Sequence, residues 1–264
     1  MTTSPKAFVR RVLKRVLMEG RALWLRIPDR VECNVCRWSG RSLLDDSWHR
    51  NVCCPRCGSS VRHRMLAAAF ESPGRWNKET LFRGKRVLHF APEAFIGSLV
   101  APLAAAYVTA DFLHEGVDLT VDMTRMPSVG TGTFDVVIAC DVLEHVSNFH
   151  QALAELHRVL STDGVAILTV PQKTGLAKTY EDSSLTSAHE RMQAFGQHDH
   201  LRIFGDDFPA ELAAAGFEVD VMRGLDFPPS LVSRHCLTPA APSAHPLATN
   251  ERRLFFCRRL RLHD

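Results

Sequence analysis

Two cysteine pairs, Cys33-Asn-Val-Cys36 and Cys54-Pro-Arg-Cys57, stand seventeen residues apart. Each CxxC pair makes a tight turn that presents two thiolates, and two such turns complete a tetrahedral four-sulfur zinc site. Cys53 adjoins Cys54, but only Cys54 keeps the spacing. Four thiolates leave no open coordination position, so the expected zinc is structural, folding a segment too poor in apolar side chains to fold alone. Buried free cysteines or a redox pair are the competing readings. A second group of reactive residues lies in Phe195-Gly-Gln-His198-Asp199-His200-Leu-Arg202, preceded by Tyr180-Glu181-Asp182. Two histidines flanking an aspartate could bind an acidic substrate, relay a proton, make structural hydrogen bonds or ligate a second metal. His145 is a further base candidate, with stacking or support of a helix start as its alternative. Arg62, His63 and Arg64, directly after the second cysteine pair, could meet an anionic substrate, neutralise thiolates or cap a joint between domains.

The elements that must position these groups centre on Thr133 to Val170. Phe134 to Ala139 is an apolar, β-branched run of the kind buried on both faces of a parallel sheet. Cys140 to Val146 turns polar and holds His145. Phe149, Ala152, Leu153, Leu156, Val159 and Leu160 then recur at the spacing of one buried helical stripe, Asp163-Gly164 is expected to end that helix, and Val165 to Val170 reads as the next strand. This is a right-handed βαβ unit with its functional loop at the carboxyl end of the first strand. Upstream, Val87 to Phe90 reads as the first sheet strand. Tyr107 to Ala110 reads as the second, ending at Asp111, where a carboxylate suits two ribose hydroxyls. Asp118 to Val121 is a third short strand. Downstream, Asp206 is expected to cap a helix through Ala215, Phe217 to Met222 and Leu254 to Arg259 read as the last strands, and the proline-rich residues 226–250 read as irregular.

FDVVIACDVLEHV followed by ELHRVLSTDGVAILTVP resembles motifs IV to VI of class I S-adenosylmethionine-dependent methyltransferases, a likeness extending over roughly residues 85–260. CPRCGSSVRHR, HFAPE and FGQHDH together resemble a bacterial methyltransferase family that enters through a zinc knuckle. The resemblance implies an α/β, Rossmann-like seven-stranded methyltransferase sheet of order 3-2-1-4-5-7-6 behind a small N-terminal four-cysteine zinc module. It implies S-adenosylmethionine as methyl donor, S-adenosylhomocysteine as product, and cofactor positions at Phe90, Ala91, Pro92, Glu93, Asp111, Phe112, Asp122, Met123, Cys140 and Asp141. Asp122 would face the adenine amino group and Met123 would pack on the ring. The acceptor would meet His145, Tyr180, His198, Asp199 and His200. The chain departs from the superfamily at its glycine-rich loop: Ala91-Pro92 replaces it, and Gly97 is the nearest glycine.

A chain of 264 residues, 45% hydrophobic, holds one large α/β domain and a small appendage. The expected partition is a basic amphipathic helix within residues 1–28, a zinc module at 29–71, a linker at 72–85, and a methyltransferase domain at 85–264 whose polar insertion, 172–205, forms a lid. A formal charge of +3 does not announce a nucleic-acid binder. No run of eighteen apolar residues predicts a membrane span, and arginines and lysines interrupt any leader-like core, so the cytoplasm is the expected compartment. Three functional classes follow. They are a methyltransferase acting on a small molecule, sugar or peptide; an RNA methyltransferase gripping phosphates with the zinc module and basic helix; and a cofactor-binding module without catalysis.

Overall fold

The computed structural model describes residues 31–113 and 116–259; the basic helix expected at 5–26 lies outside them. The chain divides into two compact units. Among the described residues, one comprises 31–68 together with 224–250, and the other 69–113 and 116–223 with 251–259.

In the first unit, β1 (Val31–Glu32) pairs antiparallel with β2 (Ser39–Gly40), and a bridge joins Leu44 to Cys53. The helix Val61–Glu71 begins four residues earlier than the apolar run at Met65 suggests. Ser60 explains the start, since its backbone N–H donates to His63 Nδ1 at 2.9 Å in the first turn. Arg64 is therefore a helical residue. It is wholly buried and donates to the carbonyls of Ser59 (2.7 Å), His235 (2.7 Å) and Cys236 (3.1 Å), so it joins two distant segments and is not available to an anionic substrate. Residues 224–250 are also more ordered than their prolines suggest. They carry the helix Pro229–His235, which starts on a proline whose missing N–H costs nothing there. Arg234 pairs with Glu32, and His235 Nδ1 lies 3.0 Å from the Glu32 carbonyl.

The second unit is built on a seven-stranded sheet. Its strands are β3 (Arg86–Phe90), β4 (Ala106–Asp111), β5 (Leu119–Thr120), β6 (Phe134–Cys140), β7 (Leu160–Thr169), β10 (Phe217–Arg223) and β11 (Arg253–Arg259); β8 (Tyr180–Glu181) and β9 (Arg202–Ile203) form a separate antiparallel pair. The order β5-β4-β3-β6-β7-β11-β10 is the expected 3-2-1-4-5-7-6, with only β11 antiparallel to its neighbours β7 and β10. Val136 to Ala139 are buried in the middle of the sheet, and the stripe Phe149, Ala152, Leu153, Leu156 and Val159 closes over it from the helix Phe149–Val159. Asn148 caps that helix by accepting the Gln151 N–H at 3.0 Å.

Local differences from the sequence expectation have identifiable causes. The helix ends at Val159, not at Asp163-Gly164, and the chain enters β7 at once. Pairing jumps from Phe134↔Leu160 to Val136↔Val165, so Ser161 to Gly164 are a bulge in the strand, with Asp163 left-handed at φ 62°. The linker contains a helix, Lys78–Phe82, anchored by Trp76 stacked on Phe256 at 4.4 Å. Asp206 caps nothing: the helix Phe208–Ala214 has proline in its first turn, and Asp206 accepts the Gly175 N–H while Asp207 accepts from Thr179. Among the described residues, no helix is long and apolar enough to cross a membrane.

Candidate functional site

In the second unit the chain reverses its direction of progress between β3 and β6, which pair directly with Phe90 beside Ala139. A crevice opens beyond the carboxyl ends of strands at such a point. The residues that leave the two strands share an unusual backbone: Ala91 has φ 44° and Asp141 φ 52°. This left-handed region costs a side chain roughly 1 kcal/mol, and glycine usually occupies it. Both turns are pinned, since Ala91 N–H donates to Ala110 O (2.9 Å) and Asp141 N–H to Thr169 O (2.8 Å). Ala91 is exposed and carries only a methyl group, so backbone at this turn can be approached closely without a glycine. Gly97 serves the neighbouring helix instead, where a Cβ would stand 2.9 Å from the Tyr107 hydroxyl.

The cofactor positions read from the sequence gather along these strand ends. Phe90 is buried in the core, Pro92 precedes the helix Ala94–Val100, and Glu93 is that helix's N-cap residue. Asp111 ends β4, its Oδ1 accepting the Leu113 N–H at 2.9 Å, and Phe112 is 63% exposed beside it. Asp122 accepts from the Thr124 N–H and hydroxyl, while Met123 is buried in the core. Cys140 is buried at the end of β6. The Asp141 carboxylate accepts the Thr169 hydroxyl at 2.8 Å and faces Arg252 at 3.2 Å. Nothing in the sequence signals Arg252, which lies more than a hundred residues from its partner.

Around this edge the acceptor-side candidates divide. His145 lies in a 3-10 turn, Leu143–His145, directly after β6. Its Nδ1 is 3.4 Å from Asp199 Oδ2, and its ring stands 4.8 Å from that of His200 in an edge-to-face arrangement. His145, Asp199 and His200 are thus brought together, and buried Glu144 joins them, its carboxylate and a nitrogen of each histidine lying within 4.8 Å of one another. Glu144 went unmarked because it sits in the apolar string Val142-Leu-Glu-His-Val146, where only its adjacency to His145 could have signalled it. Burial pushes the His200 imidazole down to about 4, helped by the neighbouring His145, so it is neutral at physiological pH. His198 is largely exposed, 3.8 Å from Asp199, and Tyr180 stands apart on the β8–β9 pair, packed on Phe195 at 5.6 Å.

Segment 172–205 is held to this turn by its backbone. Leu201 N–H donates to Glu144 O at 2.9 Å. Arg202, buried, donates to the carbonyls of Leu143, Val146 and Ser147 and pairs with Glu181. Its guanidinium is thus spent on holding structure and is not available to an acidic substrate. Gly205 closes the segment, where a Cβ would run into the backbone of Lys178 and Thr179.

The four cysteines form a second cluster, within the first unit. Cys33 and Cys57 Sγ are 3.7 Å apart, as are Cys36 and Cys54 Sγ, and all four atoms lie within 4.8 Å. Zinc–sulfur bonds of about 2.3 Å give a tetrahedron with edges near 3.8 Å, which these separations match. Each knuckle turns on a left-handed residue just after its second cysteine, Arg37 at φ 59° and Gly58 at φ 74°. Hydrogen bonds from the Cys36, Cys54 and Cys57 thiols pull the Cys33 thiol well below its ordinary range, and Ser59 Oγ adds a contact at 3.1 Å.

A family model described as a methyltransferase domain matches residues 79–221, more than half of the chain. No curated protein sequence matches it. Among solved structures, YcgJ of Bacillus subtilis is similar at 15% identity and TM-score 0.49, over 76% of this chain and 99% of that one. An S-adenosylmethionine-dependent methyltransferase of Mesorhizobium loti gives 15% and 0.49, over 76% and 98%. The 1,6-didemethyltoxoflavin-N1-methyltransferase of Burkholderia thailandensis gives 13% and 0.47, over 99% and 92%.

Proposed function

Because this chain belongs to the methyltransferase-domain family, we propose that it holds S-adenosylmethionine at the carboxyl ends of β3, β4 and β6 and methylates a small-molecule, sugar or peptide acceptor presented beneath segment 172–205. Family membership makes it an enzyme rather than an inert cofactor-binding module. The observation that carries the donor site is the pair of left-handed turns at Ala91 and Asp141, side by side where the sheet changes direction. They expose backbone in the crevice as a glycine-rich loop would. On this reading Asp111, one strand over, takes the ribose, Asp122 and Met123 the adenine, and Phe90, Pro92, Glu93, Phe112, Cys140 and Asp141 form the walls.

The donor supplies a methyl group already activated on a sulfonium, so the protein's work is alignment and exclusion of water. Segment 172–205, tied to the His145 turn through Leu201 and Arg202, provides the cover. His145, oriented by Asp199, and neutral His200 are the groups able to take a proton from a hydroxyl or ammonium acceptor, with His198 and Tyr180 farther out on the same segment. The four cysteines hold a structural zinc that fixes the first unit, a reading their sulfur–sulfur distances support. The test is calorimetric titration of the full chain with S-adenosylhomocysteine. Saturable one-to-one binding is expected, and its absence would overturn the donor site.

A further inference from the structure

We propose that Glu144, His145 and His200 hold a divalent transition-metal ion, separate from the cysteine-bound zinc, with open positions that take an acceptor oxygen. The three residues come from two segments: Glu144 and His145 from the turn after β6, and His200 from residues 172–205. One carboxylate oxygen and one nitrogen of each imidazole already lie within 4.8 Å of one another, so side-chain shifts of under about 1 Å bring all three to bonding distance of one ion. Two imidazoles with one carboxylate suit zinc, iron, cobalt or manganese, and three protein ligands leave at least one position for water or substrate.

The orientation of both rings favours this reading over accidental proximity. A metal-binding histidine almost always directs its other ring nitrogen to a carboxylate or carbonyl, which fixes the tautomer. His200 Nδ1 meets the Phe195 carbonyl at 3.4 Å, and His145 Nδ1 meets Asp199 Oδ2 at 3.4 Å, which leaves Nε2 of each ring as the ligand atom. Asp199 is itself held, its Oδ1 accepting from Gln197 Nε2 at 2.9 Å. The turn is further fixed by Leu201 donating to the Glu144 carbonyl, so the two ligand-bearing segments are joined at the site. His145 is about one-third exposed, which gives the ion access to solvent and acceptor.

With the ion in place the two histidines are ligands and no longer bases: the ion would bind an acceptor hydroxyl, make it more acidic, and its proton would pass to solvent. The oxygen lone pair then forms the bond to the methyl carbon as the sulfur–methyl bond breaks, its electrons returning to sulfur to leave a neutral thioether. This chemical role rests on the donor site proposed above; the metal site itself does not.

The full chain, carrying one equivalent of zinc on its cysteines and no excess, is titrated with Co2+ and followed by calorimetry and visible absorption. Thiolate ligands add intense charge-transfer bands that nitrogen and oxygen ligands lack, so the two sites are distinguishable. One equivalent of Co2+ should bind without thiolate bands. His145→Gln and His200→Gln should each weaken it at least tenfold, Asp199→Asn about tenfold, and Cys36→Ser should leave it unchanged. His145, partly exposed, gives a variant that keeps its fold if buried His200 does not. No such equivalent, or unaltered affinity in His145→Gln, overturns the proposal. S-adenosylhomocysteine binding is measured on the same samples: cobalt bound without it leaves the metal site standing, while cobalt absent with it intact refutes the metal site alone.

Discussion

The backbone N–H of Leu201 donates to the carbonyl of Glu144 across 2.9 Å, joining the segment that carries Asp199 and His200 to the turn that carries His145. Arg202, the next residue, completes the junction by donating to three more carbonyls of the same stretch, those of Leu143, Val146 and Ser147. Segment 172–205 is therefore seated on the turn after β6, and its seating depends on a buried guanidinium.

Arg202→Met should accordingly destabilise the second unit by about 3 kcal/mol or more, because buried carbonyls lose charge-assisted donors. Urea unfolding measures this. S-adenosylhomocysteine affinity should change less than threefold in folded protein while turnover falls. An unfolding free energy equal to wild type would show that segment 172–205 is not held through this residue.

Asp111→Ala should weaken S-adenosylhomocysteine binding ten- to a hundredfold, since a lost charge-assisted hydrogen bond costs roughly 1.5 to 3 kcal/mol. Asp111 stands at a strand end and its hydrogen bond from the Leu113 N–H is exposed, so the substitution should cost only about 1 kcal/mol of stability. Calorimetry at wild-type affinity would place the donor elsewhere.

Zinc content should be about one per chain in protein purified without added metal, and Cys36→Ser should abolish it. Chelation should melt the first unit around the cluster Cys33, Trp38, Leu43, Cys54 and Cys236, while the sheet unit keeps its far-ultraviolet signal. Zinc content unaltered in Cys36→Ser, by elemental analysis, would exclude the four-thiolate site.

The sheet was legible because each of its strands carries a local signal. Phe134 to Ala139 is continuous and apolar, as a doubly covered central strand must be, and the 3.6-residue stripe from Phe149 to Val159 marks its covering helix. The cysteine cluster was legible from spacing alone. Other features left no such trace. Arg64 joins residues 224–250 to the cysteine unit through backbone carbonyls of His235 and Cys236, which every residue type possesses. Ala91 and Asp141 adopt a backbone conformation whose usual marker is glycine, so the missing glycines read as a defect when the turn itself persists. Glu144 lay hidden in an apolar string because the His200 it stands beside is more than fifty residues away.

Acid should destabilise the sheet through His89. This residue is fully buried in β3, shares a 2.7 Å hydrogen bond with Tyr107 through Nδ1, and has no hydrogen-bond partner at Nε2. Burial pushes its imidazole down from 6.5 to about 4. Between those values the unfolded chain binds a proton that the folded chain refuses, so stability rises with pH across the interval. The contribution of neutral His89 is therefore complete above about pH 6.5, drains away as pH falls toward 4, and is constant below. Integrated over the window it amounts to about 3 kcal/mol. Urea titrations at pH 7.5 and 4.5 should show wild type losing about 2 to 3 kcal/mol more than His89→Gln, which carries no proton to gain. Equal losses in the two proteins would mean that His89 titrates normally and that some other group sets the acid limit of the fold.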